Sequence, residues 1–295
     1  MNPSASNAVT KKIDWEAHSK TALKIRRDVN KMLGIAGSGH PGGSLSCTDI
    51  LTLLYFHHLR HDAKNPKWPD RDRLIFSKGH GCPALYSALA RAGYFDPKML
   101  LTLRQLGSPL QGHPDMRRLP GIEASTGSLG QGLSIGVGCA LAARFDKKDF
   151  RTYVLLSDGE LDEGQIWEAA AFSSFHKLSN LTAILDYNKF QLSGATKEIL
   201  DMEPVAEKWR AFGWETREID GHQHREISEA IEWAQGGKSS PRIIIAHTIK
   251  GKGVSFMENN NHFHGVANTK DETARALKEL GENDAEINRI LGLIK

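Results

Sequence analysis

The chain has little cysteine and no long apolar run. Its 295 residues include three cysteines, Cys47, Cys82 and Cys139, with no C-x-x-C and no Cys/His ligand spacing. That argues against a structural zinc site and for buried thiols in a reducing cytoplasm. No stretch approaches the roughly 20 apolar residues of a spanning helix, so no membrane partner is expected. The opening MNPSASNAVTKKIDWE lacks the apolar core of a signal peptide, and residues 1–14 read as a short flexible lead. The formal charge is only +3 and the basic residues are dispersed, which gives no footprint for nucleic acid. No G-x-x-x-x-G-K-[ST] is present, so a P-loop is not available. No G-x-G-x-x-G follows a strand, which disfavours a Rossmann dinucleotide site.

What remains is an ordinary soluble composition, 40% apolar and 25% charged, with length enough for a full core. The segment Val154–Asn188 organises it. An apolar run, 153–156, ends in Ser157-Asp158-Gly159, a helical stretch follows, and a second apolar run, 181–185, ends in Asp186-Tyr187-Asn188. Strand, helix, strand predicts parallel neighbours joined by a right-handed crossover. Asp158 and Asn188 then lie beyond the strands' carboxyl ends, where such sheets bind ligands. A carboxylate and an amide carbonyl are hard oxygens suited to Mg²⁺, although Asp-Gly after a strand is also a common turn.

Around this unit the pattern predicts a helix over 15–34 ended by Gly34, a glycine-rich loop GIAGSGHPGGSLS, and a buried helix opened by a capping box at Ser46–Asp49 and running to about His58. A strand is expected over 71–76, helices over 83–91 and 97–106, and a helix from the TGSLGQG loop to Phe145. That last helix is dense in glycine, a poor helix former, so either close packing or a ligand beside the backbone must explain it. A helix over 202–212, a strand over 214–219, a helix over 223–236, a buried strand over 242–247, a charged helix over 270–280 and a short tail follow. His57, His58 and His61 read as packing residues at a helix end more readily than as metal ligands. The alternation implies an α/β fold: a doubly wound, mainly parallel sheet with helices on both faces, in a single domain over 15–295.

Five loops collect ligand-capable groups: Gly39–Gly42, Lys78–Gly81, Gly112–Asp115, Gly127–Gly132 and Phe263–Gly265. Glycines let backbone N–H groups approach a phosphate, and histidines can bind it or move protons at neutral pH.

In these motifs, SGHPGG, SKGHG, QGHPD, STGSLGQGLSIGVG and SDGELDEGQIWEA with Asn188-Lys189 following, the chain resembles the N-terminal, pyrophosphate-binding part of transketolase. The resemblance runs from about residue 15 to 270. It implies the thiamine diphosphate-binding fold, with thiamine diphosphate and Mg²⁺ (or Ca²⁺ or Mn²⁺ in its place) as cofactors. Asp158, Asn188 and the Phe190 carbonyl would hold the metal. Gly159 would bind the diphosphate, with His80 and His264 nearby, and Gly127, Ser128 and Leu129 would line the thiamine site. His40 and His113 would face the reacting carbon and the donor sugar, with His40 and His264 moving protons. Glu163 and Glu168 would form a carboxylate network across a dimer; without the family, they read as a solvated helix face. Ser157 stands where the family usually has glycine, and FHGVAN lacks the proline often found after the His-Gly pair.

The family's pyrimidine-binding and third domains are missing from this sequence. The resemblance therefore implies the N-terminal subunit of a split, cytoplasmic transketolase, active with a C-terminal partner chain, two of each. It would carry a two-carbon ketol unit between sugar phosphates, as in the pentose phosphate pathway. The alternatives are other thiamine diphosphate reactions (1-deoxyxylulose-phosphate synthesis, 2-oxo acid decarboxylation) and a non-catalytic role in cofactor binding or assembly.

Overall fold

The apolar runs 153–156, 181–185 and 242–247 become strands with helices packed on both sides. A computed structural model of the chain describes residues 13–294, so the lead read over 1–14 lies almost wholly outside the described residues. Helices α1 (Trp15–Ala36), α2 (Pro41–Ser46) and α3 (Thr48–Leu53) lead through a π-helical turn, Leu54–His58, to β1 (Arg73–Phe76). Then come α4 (Cys82–Arg91), α5 (Gln131–Phe145), β2 (Thr152–Ser157), α6 (Gly164–Phe175) and β3 (Leu181–Tyr187). The short α7 (Thr196–Ile199) and α8 (Val205–Ala211) precede β4 (Glu215–Asp220), α9 (His224–Gln235) and β5 (Arg242–His247). Helices α10 (Lys270–Glu279) and α11 (Asp284–Leu291) follow.

The five strands among the described residues are all parallel, in the order β1-β2-β3-β5-β4. Side chains alternate across them, as strand geometry requires. Tyr153 and Leu155 of β2 enter one core with α1, α3, α4 and α9; Val154 and Leu156 enter the other with α5, α6 and α8. Both faces of the sheet's centre are thus covered, with β2 and β3 buried along their whole length, while the edge strand β4 buries only Ile219. The expected β2–β3 pairing is present, with Ser157 opposite Asp186, so Asp158 and Asn188 leave the sheet at the same end.

Two of the three glycines of α5, Gly132 and Gly136, serve close packing; Gly138 faces open space. A Cβ on Gly136 would lie 2.3 Å from Val154 Cγ2 of β2, and one on Gly132 would lie 2.3 Å from Ser77 Oγ after β1.

Several local expectations need correction. Gly34 does not end α1: it lets the helix lie against α10, where a Cβ would meet Thr273 Oγ1 at 2.4 Å. The terminator is Gly37, at φ 61°, whose N–H donates to Leu33 O. The glycine-rich loop contains α2, because Pro41 at its first turn lacks only an N–H that a helix start leaves unused. The capping box at Ser46–Asp49 is not formed. Ser46 Oγ donates to Asp186 at 2.6 Å and Asp49 is taken by Arg26. The helix expected over 97–106 is a 3₁₀ helix, Pro97–Thr102, after which Arg104 N–H donates to Leu110 O and the chain turns back. The tail holds α11, capped by Asn283 and packed through Ile287 and Ile290 on Leu277.

Candidate functional site

At the carboxyl ends of β1, β2, β3 and β5 lies a cavity of about 370 Å³. Its metal-capable wall is the turn after β2 and the turn after β3. Asp158 Oδ1 accepts the Gly159 N–H at 3.0 Å and Oδ2 accepts the Lys189 N–H, so two backbone donors orient the carboxylate. Asn188 Oδ1 accepts the Phe190 N–H at 3.2 Å, an Asx turn that aims the amide oxygen. Phe190 itself is fixed by an antiparallel bridge to Ala195. Burial pushes the Asp158 carboxyl up to about 7; the Asp186 carboxylate adds to this and Lys78 opposes it. A carboxylate disfavoured as an anion in the bare pocket is one that a bound cation would stabilise. Among the described residues no three His, Cys, Asp or Glu side chains form a metal cage. The Asp158 carboxylate and the Asn188 amide oxygen are hard-oxygen groups, able to take part in holding a hard cation.

Opposite stand four histidines from four loops. His40 has ring centroids 5.3 Å from His80, 6.4 Å from His113 and 5.8 Å from His264, and His80 stacks on His264 at 5.5 Å. Burial lowers all four. His40 falls to about 4, with Arg104, His113, Lys250 and Lys78 adding, and His264 to about 3, with Lys250 adding. His80 falls well below its ordinary value, and His113 is lowered too. At neutral pH each ring is uncharged and offers one donor and one acceptor nitrogen. His40 Nδ1 is buried without a hydrogen-bond partner among the described residues. A buried polar atom without a partner calls for one that the chain itself does not supply.

Gly127, Leu129, Gly159 and Glu163 also line the cavity. Gly127 sits at φ 145°, and a Cβ there would lie 2.8 Å from His113 Cδ2, so glycine allows the loop and the imidazole to meet. The Ser128 side chain is not among the lining groups; it is exposed and its Oγ lies 3.5 Å from Gln131 Nε2. Glu163 and Glu168 are exposed on this chain. His57, His58 and His61 lie elsewhere: His58 Nε2 meets Ser228 Oγ at 3.0 Å, and His61 meets Tyr55 O at 2.7 Å and Tyr94 Oη at 3.1 Å.

Sequence reasoning missed four charged residues here. Lys78 and Asp186 form a fully buried ion pair. Lys78 Nζ also donates to Gly43 O at 2.8 Å, and Asp186 accepts from Ser46 and Thr248. Lys250 Nζ donates to His264 Nδ1 at 2.6 Å and to Asn261 Oδ1 at 3.0 Å. Burial lowers Lys250 to about 8, against the pull of Asp158. Glu160 is fully buried between three loops. Signals existed for each. Lys78 and Lys250 sit beside loop glycines as the histidines do. Asp186 is a lone charge in an apolar strand, which demands a partner. Ser157-x-x-Glu160 is a capping box, and both of its bonds are present.

A larger cleft of about 860 Å³ lies between α1, α9 and α10. Its buried Asp49 is saturated by Arg26 (2.6 and 3.1 Å), His222 (2.8 Å) and His224 (3.0 Å), so it has no free acceptor to offer.

The family model described as transketolase, thiamine diphosphate binding domain, matches residues 17–290. The chain belongs to the transketolase family. It is 48% identical over 261 residues to the 6-deoxy-6-sulfo-D-fructose transketolase subunit SqwG of Clostridium sp. (strain MSTE9), covering 88% of this chain and 95% of that one. It is 41% identical over 266 residues to an apulose-4-phosphate transketolase subunit of Phocaeicola vulgatus, covering 90% and 94%. Human transketolase is 39% identical over 266 residues, but only 42% of its length is covered. Transketolase from Campylobacter jejuni superposes with a TM-score of 0.86 at 34% identity, over 96% of this chain and 46% of that one. The chain thus spans under half of these two transketolases and nearly all of the two shorter relatives.

Proposed function

We propose that this chain is the N-terminal subunit of a two-chain transketolase, with residues 15–295 as one pyrophosphate-binding domain. A separate partner chain would supply the pyrimidine-binding and third domains, two of each, with active sites between the chains in the cytoplasm. The reaction moves a two-carbon ketol unit from a ketose phosphate, or a related acidic sugar, to an aldose phosphate. The observation that carries this is the meeting of four loop histidines with Asp158 and Asn188 in one cavity.

Asp158, Asn188 and the Phe190 carbonyl would hold Mg²⁺, or Ca²⁺ or Mn²⁺ in its place, and Gly159 would turn its N–H, which here donates to Asp158 Oδ1, to the diphosphate. Bound thiamine diphosphate supplies the nucleophilic carbon that accepts and releases the ketol unit. The remaining work falls to this chain's side chains. Lys250 donates to His264 Nδ1, so the neutral ring keeps its proton on Nε2 and acts there as a donor. His80 stacks on His264 and fixes its plane. His40 and His113 can hold the donor sugar's hydroxyls, and a neutral His40 can accept a proton. Gly127 and Leu129 wall the cavity against water. Glu163 and Glu168, exposed here, would meet carboxylates across the assembled dimer.

The test is to assay the chain alone and with its co-purifying partner. The donor panel contains xylulose 5-phosphate, apulose 4-phosphate and 6-deoxy-6-sulfofructose, because two relatives are named for the last two donors. Ketol transfer only in the mixture is expected. Equal rates from the isolated chain would end the split-site reading.

A further inference from the structure

Glu160 touches none of the cavity, yet it joins three of the loops that build it. Its side chain is fully buried. Oε1 accepts from Ser77 Oγ and from the Gly130 N–H at 2.9 Å. Oε2 accepts the Ser157 N–H at 2.8 Å and Ser157 Oγ at 3.2 Å. Ser77 follows β1 just before the His80 loop, Gly130 follows Leu129, and Ser157 precedes Asp158. Two of these loops also interlock without it. A Cβ on Gly79 would lie 2.7 Å from Gly127 N, and Thr126 Oγ1 donates to Phe76 O at 2.7 Å. No side chain fits between the two backbones at Gly79, so a shift of one loop displaces the other.

We propose that Glu160 is a positioning residue: one carboxylate clamps the His80, Leu129 and Asp158 loops in register, so that the metal wall and the histidine wall are preorganised together. The capping box alone would need only Oε2; Oε1 makes the long-range half of the clamp. A glutamine of the same shape cannot replace it. Its amide nitrogen is a donor, and whichever arm it faces meets another donor. In either orientation one backbone N–H, that of Gly130 or that of Ser157, loses its acceptor, while the serine hydroxyl of that arm can turn to accept. Preorganisation of this kind lowers the ordering cost of binding and leaves the chemistry itself alone.

The clamp rests on geometry; its consequence for thiamine diphosphate rests on the functional reading above. The test uses the full chain carrying Glu160→Gln, with Ser77→Ala as the milder variant should the first fail to fold. Hydrogen exchange of the cofactor-free chain is expected to rise by about tenfold, the size of one lost hydrogen bond, at Gly130 with Gly79–Gly81 or at Ser157, whichever side the amide nitrogen faces, while α1 and β5 stay unchanged. In the reconstituted enzyme the apparent affinity for Mg²⁺–thiamine diphosphate should fall by about tenfold, with kcat at saturating cofactor within about twofold of the parent. A uniform rise in exchange, or none at these loops, overturns the clamp, as does an unchanged cofactor affinity. If the unmutated chain binds no thiamine diphosphate even with its partner, the functional reading fails, and the exchange result still decides the clamp.

Discussion

The molecule holds two groups of histidines, and they teach opposite lessons. His57, His58 and His61 are neighbours in sequence; His40, His80, His113 and His264 are spread over more than two hundred residues. The compact group is engaged with its own surroundings: His58 with Ser228, His61 with Tyr55 and Tyr94. The dispersed group converges on one cavity and leaves His40 Nδ1 open. Burial lowers His58 to about 3, as it does His264, so a shifted pKa does not separate the groups. What separates them is the cavity and the unmet hydrogen bond.

The comparison can be broken first at its strongest point. His40→Ala should cost the reconstituted enzyme about 10²- to 10⁴-fold in kcat, the range for a lost proton-transfer group, with circular dichroism unchanged. A parent-like rate would place His40 with the packing group. Asp158→Ala should weaken Mg²⁺ retention by no less than the roughly 10- to 100-fold seen for outer-shell partners, read by calorimetry on the assembled enzyme. His58→Ala should act only on stability, lowering it by about 1–3 kcal/mol in denaturant unfolding, because Ser228 loses its partner in a buried site. If it reduced kcat in the folded fraction instead, the distinction would collapse.

Acid should strain both groups together. His40, His58 and His264 have folded pKa values below the ordinary 6.5, at about 4, 3 and 3, so the unfolded chain binds more protons in that window. Their contribution to stability is full above about pH 6.5 and is lost as pH falls towards 4 and 3. The melting temperature should fall across that range, and His58→Phe should flatten the slope. The smallest effect is expected at Glu163, exposed on this chain. Glu163→Gln should change the isolated chain's stability by less than about 0.5 kcal/mol and should matter only once the partner is bound.

The strands, their parallel pairing and the convergence of Asp158 with Asn188 are legible in the sequence. Apolar runs of strand length and glycine after them are local signals, and a crossover unit has essentially one handedness. The histidine loops are legible as a set because each histidine adjoins a glycine. Less legible are the features whose cause lies far along the chain. Gly34 reads as a terminator because its contact, Thr273, is distant in sequence. Ser46 and Asp49 read as a cap because Asp186 and Arg26 are out of local view. Lys78 and Asp186 are single charges whose burial makes sense only as a pair.

By itself, then, the sequence determined the α/β alternation, the phosphate-suited loops and the family's motifs, all written in short-range patterns of polarity and glycine. Only the tertiary structure decided which polar groups are spent on the fold and which are left for a ligand. That choice depends on hydrogen-bond partners brought together from opposite ends of the chain, and a buried donor or acceptor must find one.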